Sequence, residues 1–202
     1  MPSPIAHAVT GYCLGNLGWA GAAPGTLPQR RLTVGLAVFA AIAADLDFLP
    51  QILADVSAHR GVSHSVGMAL AGSLILALWF LRRSRRQFYA VAGLALAAYG
   101  SHLLLDLFTT GGRGLPLLWP LSPTLIQVPL TLFPQVHHSE GLFYSGHIPV
   151  VLFEVAYGGL LLWLTAIAAS RLSRRRLPSG PTVGDRLPTA TAPDSGRPPV
   201  HD

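Results

Sequence analysis

Apolar residues in this chain come in long blocks rather than in alternation. The clearest block is Val66 to Leu81, sixteen residues without a charge, and extending it back to Val62 gives twenty. Phe88 to Phe108 is a second block, broken only by His102 and Asp106. Ile148 to Ala169 is a third, broken only by Glu154, and Leu32 to Leu53 is a fourth, with Asp45 and Asp47 near its end. Ile5 to Ala23, rich in glycine, is a weaker fifth. Each approaches the roughly 20 residues needed to cross the hydrocarbon core of a bilayer. One such block is compatible with a buried helix of a soluble protein, but four long ones point to a membrane. The pattern predicts an all-α polytopic membrane helix bundle of about five transmembrane helices.

Composition agrees. Charged residues are 11% of the 202-residue chain, against roughly 25% in soluble domains. That excludes a disordered protein and argues against an ordinary cytosolic enzyme. The net charge of +5 would suggest nucleic acid if the fourteen basic residues, all arginine, formed one face. They do not. Arg30 and Arg31 lie between the first and second runs. Arg82, Arg83, Arg85 and Arg86 lie between the third and fourth, and Arg171, Arg174, Arg175 and Arg176 follow the last. Alternation puts these clusters on one side, which the positive-inside rule makes cytoplasmic. No nucleic-acid partner is expected. The other connections carry only Arg60 and Arg113. Residues 171–202 hold six prolines and three glycines and read as a disordered cytoplasmic tail behind a membrane-embedded domain, residues 1–170. The first six residues hold no basic residue, so a cleavable signal peptide is not expected. Cys13 is the single cysteine, which excludes a disulfide framework.

Ionisable groups inside membrane segments are costly and point to function. Here they gather at one depth. His7, Asp45, Asp47, His102 and Asp106 lie at the outer ends of their segments, and His59 and His64 flank a short outer connection. His102 and Asp106 are spaced i,i+4, so both project from one helix face. Imidazole with carboxylate suits zinc, manganese or iron, and a plain hydrogen bond along the helix is the alternative. Asp45 and Asp47 diverge by roughly 200° on a regular helix. They serve one centre only if the helix ends there or two metals bind, and otherwise they are helix-terminal carboxylates at the interface. In His59-Arg60-Gly61-Val62-Ser63-His64-Ser65, Gly61 permits a tight turn and Ser63 is placed to N-cap the next helix. Arg60 is either a two-point grip for phosphate or carboxylate or an anchor at lipid headgroups. His137, His138, Glu140 and His147 form a second outer cluster, read as solvated loop residues or a substrate lid. Glu154 is expected to face the bundle without an assigned role.

These motifs taken in order resemble the YdjM-like family of LexA-regulated, inner-membrane, predicted metal-dependent hydrolases. The resemblance rests on His7, Ala44-Asp45-Leu46-Asp47, HRGVSHS at 59–65 and SHLLLDLFTTGGRGLPLLWPLSP at 101–123. One departure is Ala44, where many relatives have proline. The resemblance implies that His7, Asp45, Asp47, His59, His64, His102 and Asp106 form the metal centre, holding one or two divalent ions, zinc or manganese first. It implies a membrane hydrolase whose site faces the extracytoplasmic side of the inner membrane. A cation there would activate water for attack on an ester or phosphoester. Asp47, or alternatively Asp45, is a candidate general base, His59 and Arg60 are further candidate catalytic residues, and membrane lipids are the expected partners and substrate source. Two other classes are a small ion- or proton-coupled transporter, which would spread its polar groups through the membrane, and a protein whose metal site only ties helices together.

Overall fold

The computed structural model describes residues 3–21, 26–48, 60–81, 84–109, 114–134 and 145–175. Among these residues five α-helices carry the fold: α1 (Pro4–Ala20), α2 (Leu27–Ile42), α3 (Val66–Leu81), α4 (Arg85–Leu107) and α5 (His147–Arg174). Two 3-10 turns, Ala43–Asp47 and Val62–His64, sit between α2 and α3. Among the described residues there is no strand, only the isolated bridges Thr109 to Phe133 and Leu115 to Ile126.

Local chemistry sets the helix starts. Ser3 N-caps α1 and accepts from the Ile5 amide at 3.2 Å, with Pro4 at the first helical position. Thr26 opens α2 with a capping box in which Gln29 reaches back to the Thr26 amide at 2.8 Å. Ser65, not Ser63, caps α3: its hydroxyl accepts from the Met68 amide at 3.1 Å. Residues 62–64 are already wound into their own 3-10 turn, so His64 precedes α3 rather than lying in its first turn. In the same loop the left-handed backbone falls on Arg60, with φ of 59°, and not on Gly61.

α1 packs on α2, α4 and α5, α2 also on α4, and α3 on α4. The core where α2 meets α4 is built from alanines: Ala37, Ala40, Ala41, Ala95 and Ala98. Side chains this small let helix backbones approach closely, the usual packing of helices in lipid. Gly11 takes this furthest, since a Cβ there would stand 2.7 Å from the Ala37 carbonyl oxygen. The outside is correspondingly apolar, with Ile75, Trp79, Leu152 and Val155 each at least 65% exposed. A water-facing surface avoids such a continuous apolar belt.

The five described helices match the number of apolar runs, but among the described residues two of them, α4 and α5, are long and apolar enough by themselves to cross a membrane. The others are 17, 16 and 16 residues long. The run from Leu32 shows why: its α-helix stops at Ile42 and tightens into the 3-10 turn that carries both aspartates. α5 extends through Arg174, four residues into the stretch read from sequence as tail.

Candidate metal centre

The start of α1, the turn after α2, the turn before α3 and the end of α4 come together at one end of the bundle. They bring His7, Asp45, His64, His102 and Asp106 into a single cluster. The imidazoles of His7, His64 and His102 and the carboxylate of Asp106 are fully or almost fully buried.

His102 is oriented by α2. Its Nδ1 lies 2.7 Å from the Ala41 carbonyl oxygen. A carbonyl only accepts, so Nδ1 carries the proton and Nε2 offers a lone pair to the cluster. That Nε2 is 3.3 Å from His64 Nε2, 3.6 Å from Asp45 Oδ1 and 3.9 Å from Asp106 Oδ2. His64 Nε2 lies 3.3 Å from Asp106 Oδ2 and 3.9 Å from Asp45 Oδ1. The other oxygen of Asp106 is 3.5 Å from His7 Nε2, and the His7 ring stacks on His102 with centroids 3.8 Å apart. Ligands about 2.0–2.1 Å from a tetrahedral ion stand roughly 3.4 Å from one another, so the shortest of these spacings suit a shared cation.

Two overlapping sets of three could hold a metal ion: His7, Asp45 and His102, and His64, His102 and Asp106, each with its donor atoms within 4.8 Å of one another. His102 belongs to both. Hydrogen-bond chemistry supports the fit. Neither ring nitrogen of His7 and neither carboxylate oxygen of Asp106 has a hydrogen bond of good geometry among the described residues. Buried polar atoms normally find such partners. Charge supports it as well. Among the described residues, Asp45, Asp47 and Asp106 outnumber the guanidinium of Arg60 by two, so with neutral imidazoles these groups are short of two positive charges. Burial works against charge on His64, but the carboxylates of Asp106 and Asp47 outweigh it and push this histidine up to about 9. Without a metal, a proton takes part of the missing charge.

Asp47 stands apart from the donor set. The α-helix does end before Asp45, as two-carboxylate use requires, and the two side chains then reach opposite nitrogens of His64. Asp45 faces Nε2, whereas Asp47 Oδ2 lies 3.2 Å from Nδ1. Asp47 also accepts from the Ser63 hydroxyl at 2.7 Å. It is therefore placed to orient His64 rather than to sit among the converging donors. Arg60 borders the cluster, its Nε 3.8 Å from Asp106 Oδ2 and its terminal nitrogen 3.4 Å from the Asp106 carbonyl oxygen.

His59, His137, His138 and Glu140 lie outside the described residues. His147 opens α5 and is not part of the cluster. Tyr99 is a residue the motifs passed over: its hydroxyl donates to the Ser63 carbonyl at 2.7 Å, bracing the turn that presents His64. Its position three residues before His102, on the same helix face, is the signal that could have found it. A groove of about 470 Å³ is lined by Ala97, Gly100, Leu104 and Leu107 of α4. At about 100° per residue this is the stripe opposite His102 and Asp106, so that groove is not part of the centre.

Residues 1–176 match the family described as YdjM inner membrane protein. Inner membrane protein YbcI of Escherichia coli (strain K12) is 32% identical over 126 residues, which is 60% of this chain and 69% of that protein. No solved structure matches. Both names are those of inner membrane proteins, and the two long apolar helices fit membrane insertion.

Proposed function

We propose that this chain, which belongs to the YdjM inner membrane protein family, is a multi-pass membrane hydrolase that depends on one or two divalent ions, zinc or manganese, and acts on a lipid or phosphoester at the outer face of the membrane. The observation that carries this reading is the buried convergence of His7, Asp45, His64, His102 and Asp106 from four separate segments. A transporter would distribute such groups along the bundle, and here they share one end.

Five membrane passes are part of the proposal. α2 and the 3-10 turn that follows it run from Leu27 to Asp47. At about 1.5 Å and about 2.0 Å per residue respectively, they reach roughly 34 Å, enough for a bilayer core. Arg30 and Arg31 near the start of α2, Arg85 and Arg86 at the start of α4, and Arg171 and Arg174 at the end of α5 mark the opposite end from the cluster. That arrangement supports a cytoplasmic C-terminus and an outward-facing site.

His7, Asp45, His64, His102 and Asp106 would hold the ion. A cation bound there would polarise an ester or phosphoester and make water nucleophilic near neutral pH. The residues of the chain supply the rest. Asp47 keeps the His64 ring turned so that Nε2 faces the cluster, and the Ala41 carbonyl does the same for His102. Arg60, at the border, offers a permanent cation to an anionic group of the substrate. His59, adjacent in sequence, remains a candidate for proton transfer.

A metal site that only ties helices together is the second reading. Burial of the donor side chains favours it, since catalytic sites keep a position open. An assay with phospholipid vesicles and soluble phosphoesters separates the two. Chelator-sensitive hydrolysis that is absent in Asp106→Ala supports the enzyme. Metal-loaded protein that cleaves neither supports the structural site.

A further inference from the structure

α5 contributes no side chain to the cluster, yet it is clasped to α1 on both sides of His7. The Ser3 amide donates to one oxygen of Glu154 at 2.5 Å, and the Ser3 hydroxyl donates to the other at 2.6 Å. One turn beyond His7, the Thr10 hydroxyl meets the Tyr157 hydroxyl at 2.8 Å. Ser3, His7 and Thr10 are spaced four and three residues apart, so the two contacts bracket His7 along one side of α1. The aromatic ring of Phe133 packs edge-on against Phe153 and Tyr157, with centroids 5.1 and 5.2 Å away, and holds this face of α5 in place.

A glutamate in an apolar helix is costly unless something compensates. The start of α1 does. Its first amides have no partners within the helix, and the helix dipole leaves that end positive. α1 has no acidic residue of its own in the first turn. Glu154 supplies from another helix, 151 residues away, what the sequence of α1 lacks.

We infer that Glu154, with Tyr157 as the second clasp, is a positioning residue that sets the depth and rotation of α1 so that His7 reaches the metal centre. The inference rests on the metal reading above. The His7 ring stacks on His102 and its Nε2 lies 3.5 Å from Asp106, contacts that hold only while α1 keeps this depth and rotation.

The test uses Co2+ as the probe, bound to the detergent-solubilised full chain, because its visible absorption reports the number and kind of ligands. Glu154→Ala is expected to give the spectrum and the weakened affinity of His7→Ala. Glu154→Gln, whose amide oxygen still accepts one hydrogen bond, is expected to fall between them and the wild type. The double variant His7→Ala/Glu154→Ala is expected to bind Co2+ no more weakly than His7→Ala. A wild-type spectrum and affinity in Glu154→Ala overturns the inference, and so does a further loss in the double variant. Should Glu154→Ala fail to fold, Tyr157→Phe removes one hydroxyl only and is expected to shift the spectrum in the same direction, and an unchanged spectrum there contradicts the inference. Wild-type protein that binds no Co2+ overturns the metal reading itself, a failure distinct from any seen only in the variants.

Discussion

Asp47 Oδ2 lies 3.2 Å from His64 Nδ1, on the far side of the ring from the donors that face Nε2. A carboxylate in that position fixes ring orientation and raises the basicity of the imidazole. Asp47→Ala is expected to weaken metal binding by about 10–100-fold without abolishing it, the usual effect of removing such a partner. Titration with a competing chelator measures this. An affinity within twofold of wild type would show that Ser63 and the backbone hold His64 unaided.

The proton on His64 gives the metal affinity a direction with pH. Burial lowers its pKa, the carboxylates of Asp106 and Asp47 raise it by more, and the result is about 9 in the metal-free protein. At pH 7 an incoming cation must expel that proton. Affinity is therefore expected to climb about tenfold per pH unit from pH 7 and to flatten above about 9. Calorimetry in buffers of different ionisation heat should find about one proton released per ion at pH 7. An affinity that stays constant from pH 7 to 8 contradicts the expectation.

α1 must lie close against α2 for His7 and Asp45 to share a centre. A Cβ at Gly11 would meet the Ala37 carbonyl oxygen and the Ala41 Cβ at 2.7 Å and the Val38 Cα at 2.8 Å. None of these is the end of a flexible side chain, so the helices have to part. Gly11→Ala is expected to cost about 1–3 kcal/mol, seen as a lower melting temperature in detergent. Gly35→Ala, with nothing within 4 Å of its Cβ, serves as the control and should be neutral or slightly stabilising.

Orientation has its own measurement. A reporter enzyme fused after residue 176 is expected to read cytoplasmic, and one placed in the 135–144 segment extracytoplasmic. The opposite pattern would turn the cluster toward the cytoplasm and remove the outer-face substrates from the proposal.

Much of this was legible in the sequence because the ends of successive apolar helices meet at the ends of a bundle. The positions of His7, Asp45, His64, His102 and Asp106 along their apolar runs already put them at one end of the bundle. The i,i+4 spacing of His102 and Asp106 already gave them one face. Less legible was the winding between α2 and α3. Ser63 and Ser65 are both plausible caps, and which one caps depends on the 3-10 turn at Val62–His64, a tertiary outcome braced by Tyr99. Asp45 and Asp47 were recognisable as a pair, but their division between the two nitrogens of His64 follows from the 3-10 winding that continues α2. Glu154 was expected to face the bundle, but its contact with Ser3 could not be read, because Ser3 is at the other end of the chain. Span lengths were overestimated wherever caps and tight turns consumed residues that hydropathy counts as helix.

Whether the buried cluster holds a divalent ion is decided by elemental analysis of protein purified in mild detergent. His102 belongs to both candidate ligand sets. One or two equivalents of zinc or manganese are expected in the wild type, with the metal lost in a folded His102→Ala variant. Metal-free wild-type protein that takes up neither ion on incubation would contradict that expectation.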